Sequence, residues 1–174
     1  MVYIICKFDA LIFYQDSLLL NGVLTNSEVW YNVKEEHLKK LESADNDMMR
    51  KIFNAHHKTA YEIFFLETSK IPIRFVISKR RLLYLWHILH RDENELVRKV
   101  YEVQKIKMTK GDWFEMIQNE KKKFKITLSD EEIANSSKYK FKNMVEKQVN
   151  TFAFEYLKEK ASVNSKSYKI PTFI

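Results

Sequence analysis

The chain has 174 residues, 45% of them apolar, with 12 Phe, 9 Tyr and 3 Trp, which supplies one sizeable core and excludes disorder over most of its length. Two Gly and two Pro exclude a loop-rich β-sandwich and a glycine-rich phosphate loop, and the lone cysteine, Cys6, excludes an internal disulfide and a cysteine-based zinc site. The net charge of +7 is uneven, since residues 70–110 hold 11 basic and 4 acidic side chains whereas residues 1–69 hold 7 and 10; a basic middle points to an anionic partner.

Residues 1–15 form an apolar leader that contains Lys7 and Asp9 and lacks a basic n-region and a small-residue cleavage site, so it is not read as a secretory signal. No apolar run reaches the length of a membrane span, and no membrane partner is expected. The single cysteine fits a reducing, intracellular compartment, cytoplasmic or nuclear.

Residues 16–31 admit two readings. Asn21-Gly22 between apolar runs is a hairpin signal. Leu18 to Leu20, Val23, Leu24, Ser27, Trp30 and Tyr31 also fit one helix face, and a helix from Asp16 to Tyr31 is the preferred reading.

From there the chain reads as helix after helix. Four pairs have the spacing of a capping box: Thr59 with Glu62, Asp92 with Glu95, Asp112 with Glu115, and Ser129 with Glu132, with Asn32 and Glu35 a weaker fifth. The periodicity predicts an amphipathic helix over 35–54 with Leu38, Leu41, Met48, Met49 and Ile52 inward, and a short helix over 60–68. A helix marked by Leu96, Val97, Val100 and Val103 comes next, then a basic linker from Lys105 to Gly111. A helix carrying Trp113, Phe114 and Ile117 ends near Lys123, a short one covers 130–135, and a last long one has Phe141, Val145, Val149, Phe152 and Tyr156 inward with Lys140 and Lys147 on another face. Residues 16–161 are read as a single helical domain and 162–174 as a flexible tail.

The helix over 72–91 organises this picture. Ile73, Ile77, Tyr84 and Ile88 share one line, and Phe75, Leu82, Trp86 and Leu89 share nearly the opposite one. A helix apolar on two sides is covered on two sides, so the predicted fold is all-α, an irregular bundle of seven to eight helices around this central element. Pro72 suits its first turn, where a missing N–H needs no partner. The segment also carries Arg74, Lys79, Arg80, Arg81 and Arg91 and no acid. Lys79, Arg80 and Arg81 fall between the two apolar lines and are expected to reach solvent and phosphate.

Catalytic chemistry finds no support in the residues. Asp45 and Asp47 lie on an exposed helix face, and Asp130-Glu131-Glu132 opens a helix, where acids suit the dipole; neither resembles a two-metal site. Nucleophile signatures are absent. His87 and His90 share a helix face but lack local carboxylate or cysteine partners, and His56-His57 suits a helix end. No catalytic residue, metal or cofactor is expected. Tyr84 and Trp86 read as core, while Trp113 could stack on a base.

Seven stretches taken in order carry a resemblance: LLLNGVLTNSEVWYN (18–32), LESAD (41–45), MMRKIF (48–53), EIFFLET (62–68), IPIRFVISKRRLLYLWHIL (71–89), KGDW (110–113) and KYKFKNMVEKQ (138–148). Together they resemble the thumb and helical connector that follow the polymerase palm in non-LTR retrotransposon reverse transcriptases of invertebrate type. The resemblance covers about residues 16 to 170. It implies a helical segment that grips template–primer duplex and packs against a polymerase palm. Family members carry an aromatic-x-Asp-Asp metal site upstream and often a Cys/His zinc knuckle downstream. This sequence has neither, so what the resemblance implies is a fragment of an RNA-directed DNA polymerase without its catalysis.

The expected function is therefore sequence-independent binding of RNA or RNA–DNA duplex through Arg74, Lys79, Arg80, Arg81, Lys105, Lys107 and Lys110. Five phosphate contacts among them would give a log–log salt slope of about −4 to −5 on duplex DNA. The alternatives are a helical interaction or structural module, made sticky by a missing palm, and a transposon remnant with no cellular function.

Overall fold

The computed structural model describes Phe13, Ser17 and residues 22–167. The leader apart from Phe13, the segment 18–21 with the hairpin residue Asn21, Cys6, and the chain after 167 lie outside the described residues.

Among the described residues all regular structure is helical. A 3-10 turn at Ser27–Val29 precedes α1 (Glu35–Ile52), α2 (Tyr61–Thr68), α3 (Ile73–Leu89), α4 (Leu96–Lys107), α5 (Trp113–Lys123), α6 (Asp130–Ala134) and α7 (Lys138–Ser167). The all-α bundle around a central helix is what the periodicity of 72–91 requires, and α3 holds that place. It contacts α7 along its length and also meets α1, α4, α5, α6 and the 3-10 turn, while α2 packs against α7.

Both sides of α3 are covered. Ile73 and Ile77 pack with Leu24, backed by Trp30, Leu38 and Leu41. Phe75, Leu82, Leu85, Ile88 and Leu89 join the larger cluster with Tyr101, Trp113, Ile117, Phe124, Phe141, Val145 and Val149. Each fully buried aliphatic chain of this kind contributes about 1.5–3 kcal/mol. Phe75 anchors an aromatic group, meeting Phe124, Phe152 and Tyr156 edge-on at 5.4–6.4 Å between ring centroids. The inward stripe of α7 is as predicted through Phe141, Val145 and Val149, and it continues through Ala153 and Leu157.

Several local expectations are corrected. The preferred helix over Asp16–Tyr31 does not run through its described part. Asn26 takes a left-handed conformation (φ 58°), residues 24–26 turn, and only Ser27–Val29 wind again, as 3-10. Asparagine tolerates that conformation and breaks the ladder there. Two of the four capping boxes do not form. α2 starts from Ala60 with Glu62 buried in the core, and α4 starts from Glu95 while Asp92 accepts from Asn94 N instead. Likewise Lys34, and not Asn32, precedes α1. Ser129 and Glu132 make the full reciprocal box, and Asp112 caps Glu115 N at 2.8 Å, with Glu115 reaching Gly111 N. Pro72 is the N-cap of α3, one residue before the helix proper.

The predicted basic linker Lys105–Gly111 is shorter than expected, because α4 continues to Lys107. Beyond it Met108 turns left-handed (φ 46°) and its N–H closes on Gln104 O at 2.8 Å. α7 likewise runs to Ser167, past the start expected for a tail; with no Gly or Pro to stop it, each added residue gains a backbone bond on an existing helix.

Candidate functional site

The seven cations expected to meet phosphate divide into three groups. Four sit in carboxylate pairs. Arg74 binds Glu42 through both Nε and Nη2 and also reaches Glu35 at 2.9 Å, locking α3 to α1. Lys79 lies 3.9 Å from Glu146, and Lys105 lies 2.9 Å from Asp130. Arg81 is buried, with Nη1 3.0 Å from Glu120 Oε1, an oxygen that also accepts from Ser78 Oγ. Arg80 donates to the carbonyl of Leu24. Lys107 and Lys110 are exposed and make no ion pair among the described residues.

The expectation that Arg81 reaches solvent is thus overturned. A residue three positions from Ser78 and four from Ile77 sits over the α3–α5 seam, and Glu120 on α5 is the partner that lets its charge be buried. Burial pushes the Glu120 carboxyl above its ordinary range, with the Arg81 charge and the bonds from Arg81 and Ser78 opposing. Asp130 is the converse. Burial acts to raise its carboxyl, but hydrogen bonds from Lys105 Nζ and Tyr101 Oη, with the charges of Lys105 and Lys121, hold it below the usual range. The hydrogen bond to Asp130 raises the Lys105 ammonium in return. These cations hold the bundle together.

The aromatic candidates are engaged within the bundle, and His90 is exposed but packed on one of them. Trp113 is buried and donates through Nε1 to Glu28 O at 2.9 Å, so its ring is not offered to a base. Trp86 donates to Ser136 O, and His90 stacks on it at 3.6 Å with Nδ1 2.8 Å from Trp86 O. Burial lowers His87, with Lys138, Arg91 and His90 adding like charge. Among the described residues no group of three or more His, Cys, Asp or Glu is placed to hold a metal, and no helix is long and apolar enough to cross a membrane.

A different surface gathers unpaired positive charge. An open groove of about 540 Å³ runs between the α5–α6 connection and the first turns of α7. Its floor is Ile126, Leu128, Phe141 and Met144. Lys125 stands on one wall and Lys140 on the other, with Thr127, Asn135 and Gln148 as neutral polar groups and Glu132 as the one carboxylate. Glu132 is already committed to the Ser129 cap. Lys147 follows Lys140 by two helical turns on the same side of α7. Lys125, Lys140 and Lys147 are all exposed and make no ion pair among the described residues.

Local structure places Lys125. Helix α5 closes with Ile126 N on Lys121 O (2.8 Å) and Lys125 N on Lys122 O (3.2 Å), which puts Lys125 in the left-handed position (φ 56°) that glycine usually takes. Its neighbour Lys123 turns the other way, over the rings of Phe75, Phe124 and Phe152 at 5.1–5.3 Å. The sequence signal for this surface lay in two acid-free runs, KKKFK at 121–125 and KYKFK at 138–142. The higher charge density of 70–110 drew the expectation elsewhere.

Compared with family models, curated proteins and solved structures, the chain finds no significant match.

Proposed function

We propose that this chain is a non-catalytic helical module that binds nucleic-acid backbone without base specificity, a thumb-and-connector fragment of a retrotransposon-type reverse transcriptase. The observation that carries the reading is the groove. Two exposed lysines, Lys125 and Lys140, line it beside neutral polar groups of the kind that contact phosphate and sugar, and Lys147 continues the row along α7; none of the three makes an ion pair among the described residues. The groove holds no arginine, and its lysines are point charges suited to phosphate, in keeping with backbone contact. The contact set differs from the one read in the sequence. Lys125, Lys140 and Lys147 take the place of Arg74, Lys79, Arg81 and Lys105, each of which is paired with a carboxylate.

A mobility-shift titration tests this with RNA–DNA duplexes of two unrelated sequences at low salt. Equal binding to both is expected, and replacing Lys125, Lys140 and Lys147 with Glu should weaken it on both alike. No shift at low salt rejects the reading.

A second reading, a helical interaction module, is favoured by one specific feature. Helix α4 turns an apolar stripe to solvent: Leu96 is 77% exposed and Ile106 81%, with Val100 and Val103 near half. Leu96, Val100 and Val103 are also three of the four residues that marked this helix in the sequence. Its buried anchor is Tyr101 instead.

A further inference from the structure

The exposed stripe of α4 has a self-complementary design, and we infer that it is the contact surface of a homodimer in which two α4 helices pair antiparallel. Leu96, Val100 and Val103 recur at four and three residues, the spacing of a seam between two helices. Ile106 lies on the flank of that seam, and Lys107 takes its next position. The four exposed side chains together present a patch on the order of a few hundred Å² per copy, a size that is often functional. With Tyr31 and Met108 beside them, which are 61% and 74% exposed, two copies bury about 1,000–1,200 Å² in total, the lower edge of a stable interface.

Charge selects the occupant and its direction. The N-terminal end of α4 is acidic, with Asp92 and Glu93 exposed and free of ion pairs among the described residues; the C-terminal end is basic, with Lys107 and Lys110 exposed and likewise unpaired. Val100 set opposite Val103 of a second copy puts Leu96 against the stem of that copy's Lys107 and brings the acidic residues before α4 toward the basic residues after it, at both ends. Antiparallel helix dipoles add to this, whereas a parallel pair would set acid against acid and base against base. Two hollows flank the stripe. One, of about 200 Å³, is lined by Val29, Tyr31, Tyr84, Val97, Val100 and Trp113. The other, of about 500 Å³, is lined by Glu93, Arg98, Lys99, Glu102, Val103 and Ile106. Each gives room for an aliphatic side chain from the facing helix. This inference does not rest on nucleic-acid binding, and the lysine groove lies on the α5–α6 connection and α7.

Sedimentation equilibrium of the full chain without nucleic acid tests it. A monomer–dimer equilibrium with a dissociation constant on the order of 10 µM is expected. Replacing Leu96 and Ile106 with Gln should weaken it by about tenfold or more, while circular dichroism and the melting temperature of the monomer stay unchanged because both side chains face solvent. The charges give a second reading: Glu93→Lys alone and Lys110→Glu alone should each weaken the dimer, and the two together should restore it. A monomer at all concentrations overturns the inference and leaves the stripe to another partner. A dimer indifferent to the Gln variants, or one not rescued by the charge swap, overturns it as well.

Discussion

Arg81 and Glu120 form an ion pair inside the bundle, 3.0 Å apart and each less than a tenth exposed, with Ser78 Oγ completing the bonds to the shared oxygen. The pair joins α3 to α5 and converts a residue of the Lys-Arg-Arg run at 79–81 from a surface cation into a structural one. Removing one partner from such a pair costs far more than removing both, because the remaining charge is left buried. Arg81→Ala is expected to lower unfolding free energy by about 3–5 kcal/mol, measured by urea denaturation at pH 7. The loss should shrink as pH falls through the raised value of the abandoned Glu120, which then takes up a proton and no longer carries charge, and should be smallest below the ordinary carboxylate range. A double replacement by Met and Leu should recover most of the stability.

Asp130 gives the opposite pH signature. Its carboxyl is held below the ordinary range in the folded state, so it adds stability above the unfolded value and loses it as pH falls through the folded one. Unfolding midpoints should therefore decline below about pH 4. Asp130→Asn should remove that part of the decline and cost about 2 kcal/mol at neutral pH through the donors of Tyr101 and Lys105. An unchanged acid limb in the variant would count against the Tyr101–Asp130–Lys105 network.

Lys125 sets stability against binding. Its left-handed backbone costs about 1 kcal/mol relative to glycine. Lys125→Gly should raise the melting temperature and weaken nucleic-acid binding in the same molecule. A variant that is both more stable and equally tight would remove Lys125 from the contact set.

Much of this fold was legible in the sequence, because period-3.6 patterning survives wherever a helix has one inward face. α1, α5 and α7 follow their stripes closely, and the doubly apolar run of α3 correctly implied cover on both sides. Capping was less legible. The spacing that gives a box at Ser129–Glu132 also occurs at Thr59–Glu62, where Glu62 is buried, and nothing local separates the two. Helix ends were hidden for another reason. With two glycines in the chain, α1, α2, α4 and α5 are followed by left-handed Asn54, Ser69, Met108 and Lys125, which composition does not flag as stops. The site was the least legible part. Charge density along the chain located cations, but Arg74, Arg81 and Lys105 meet carboxylates 25 to 39 residues away in sequence. Only the fold reveals that neutralisation.

Fluorescence anisotropy of a labelled DNA duplex, titrated with the full chain at several salt concentrations, tests the lysine groove most directly. With three phosphate contacts the log–log slope is expected near about −2.7, short of the −4 to −5 that five contacts give. It should fall toward zero when Lys125, Lys140 and Lys147 are replaced with Glu. Affinity and slope unchanged by that replacement would contradict the groove as the phosphate-binding surface.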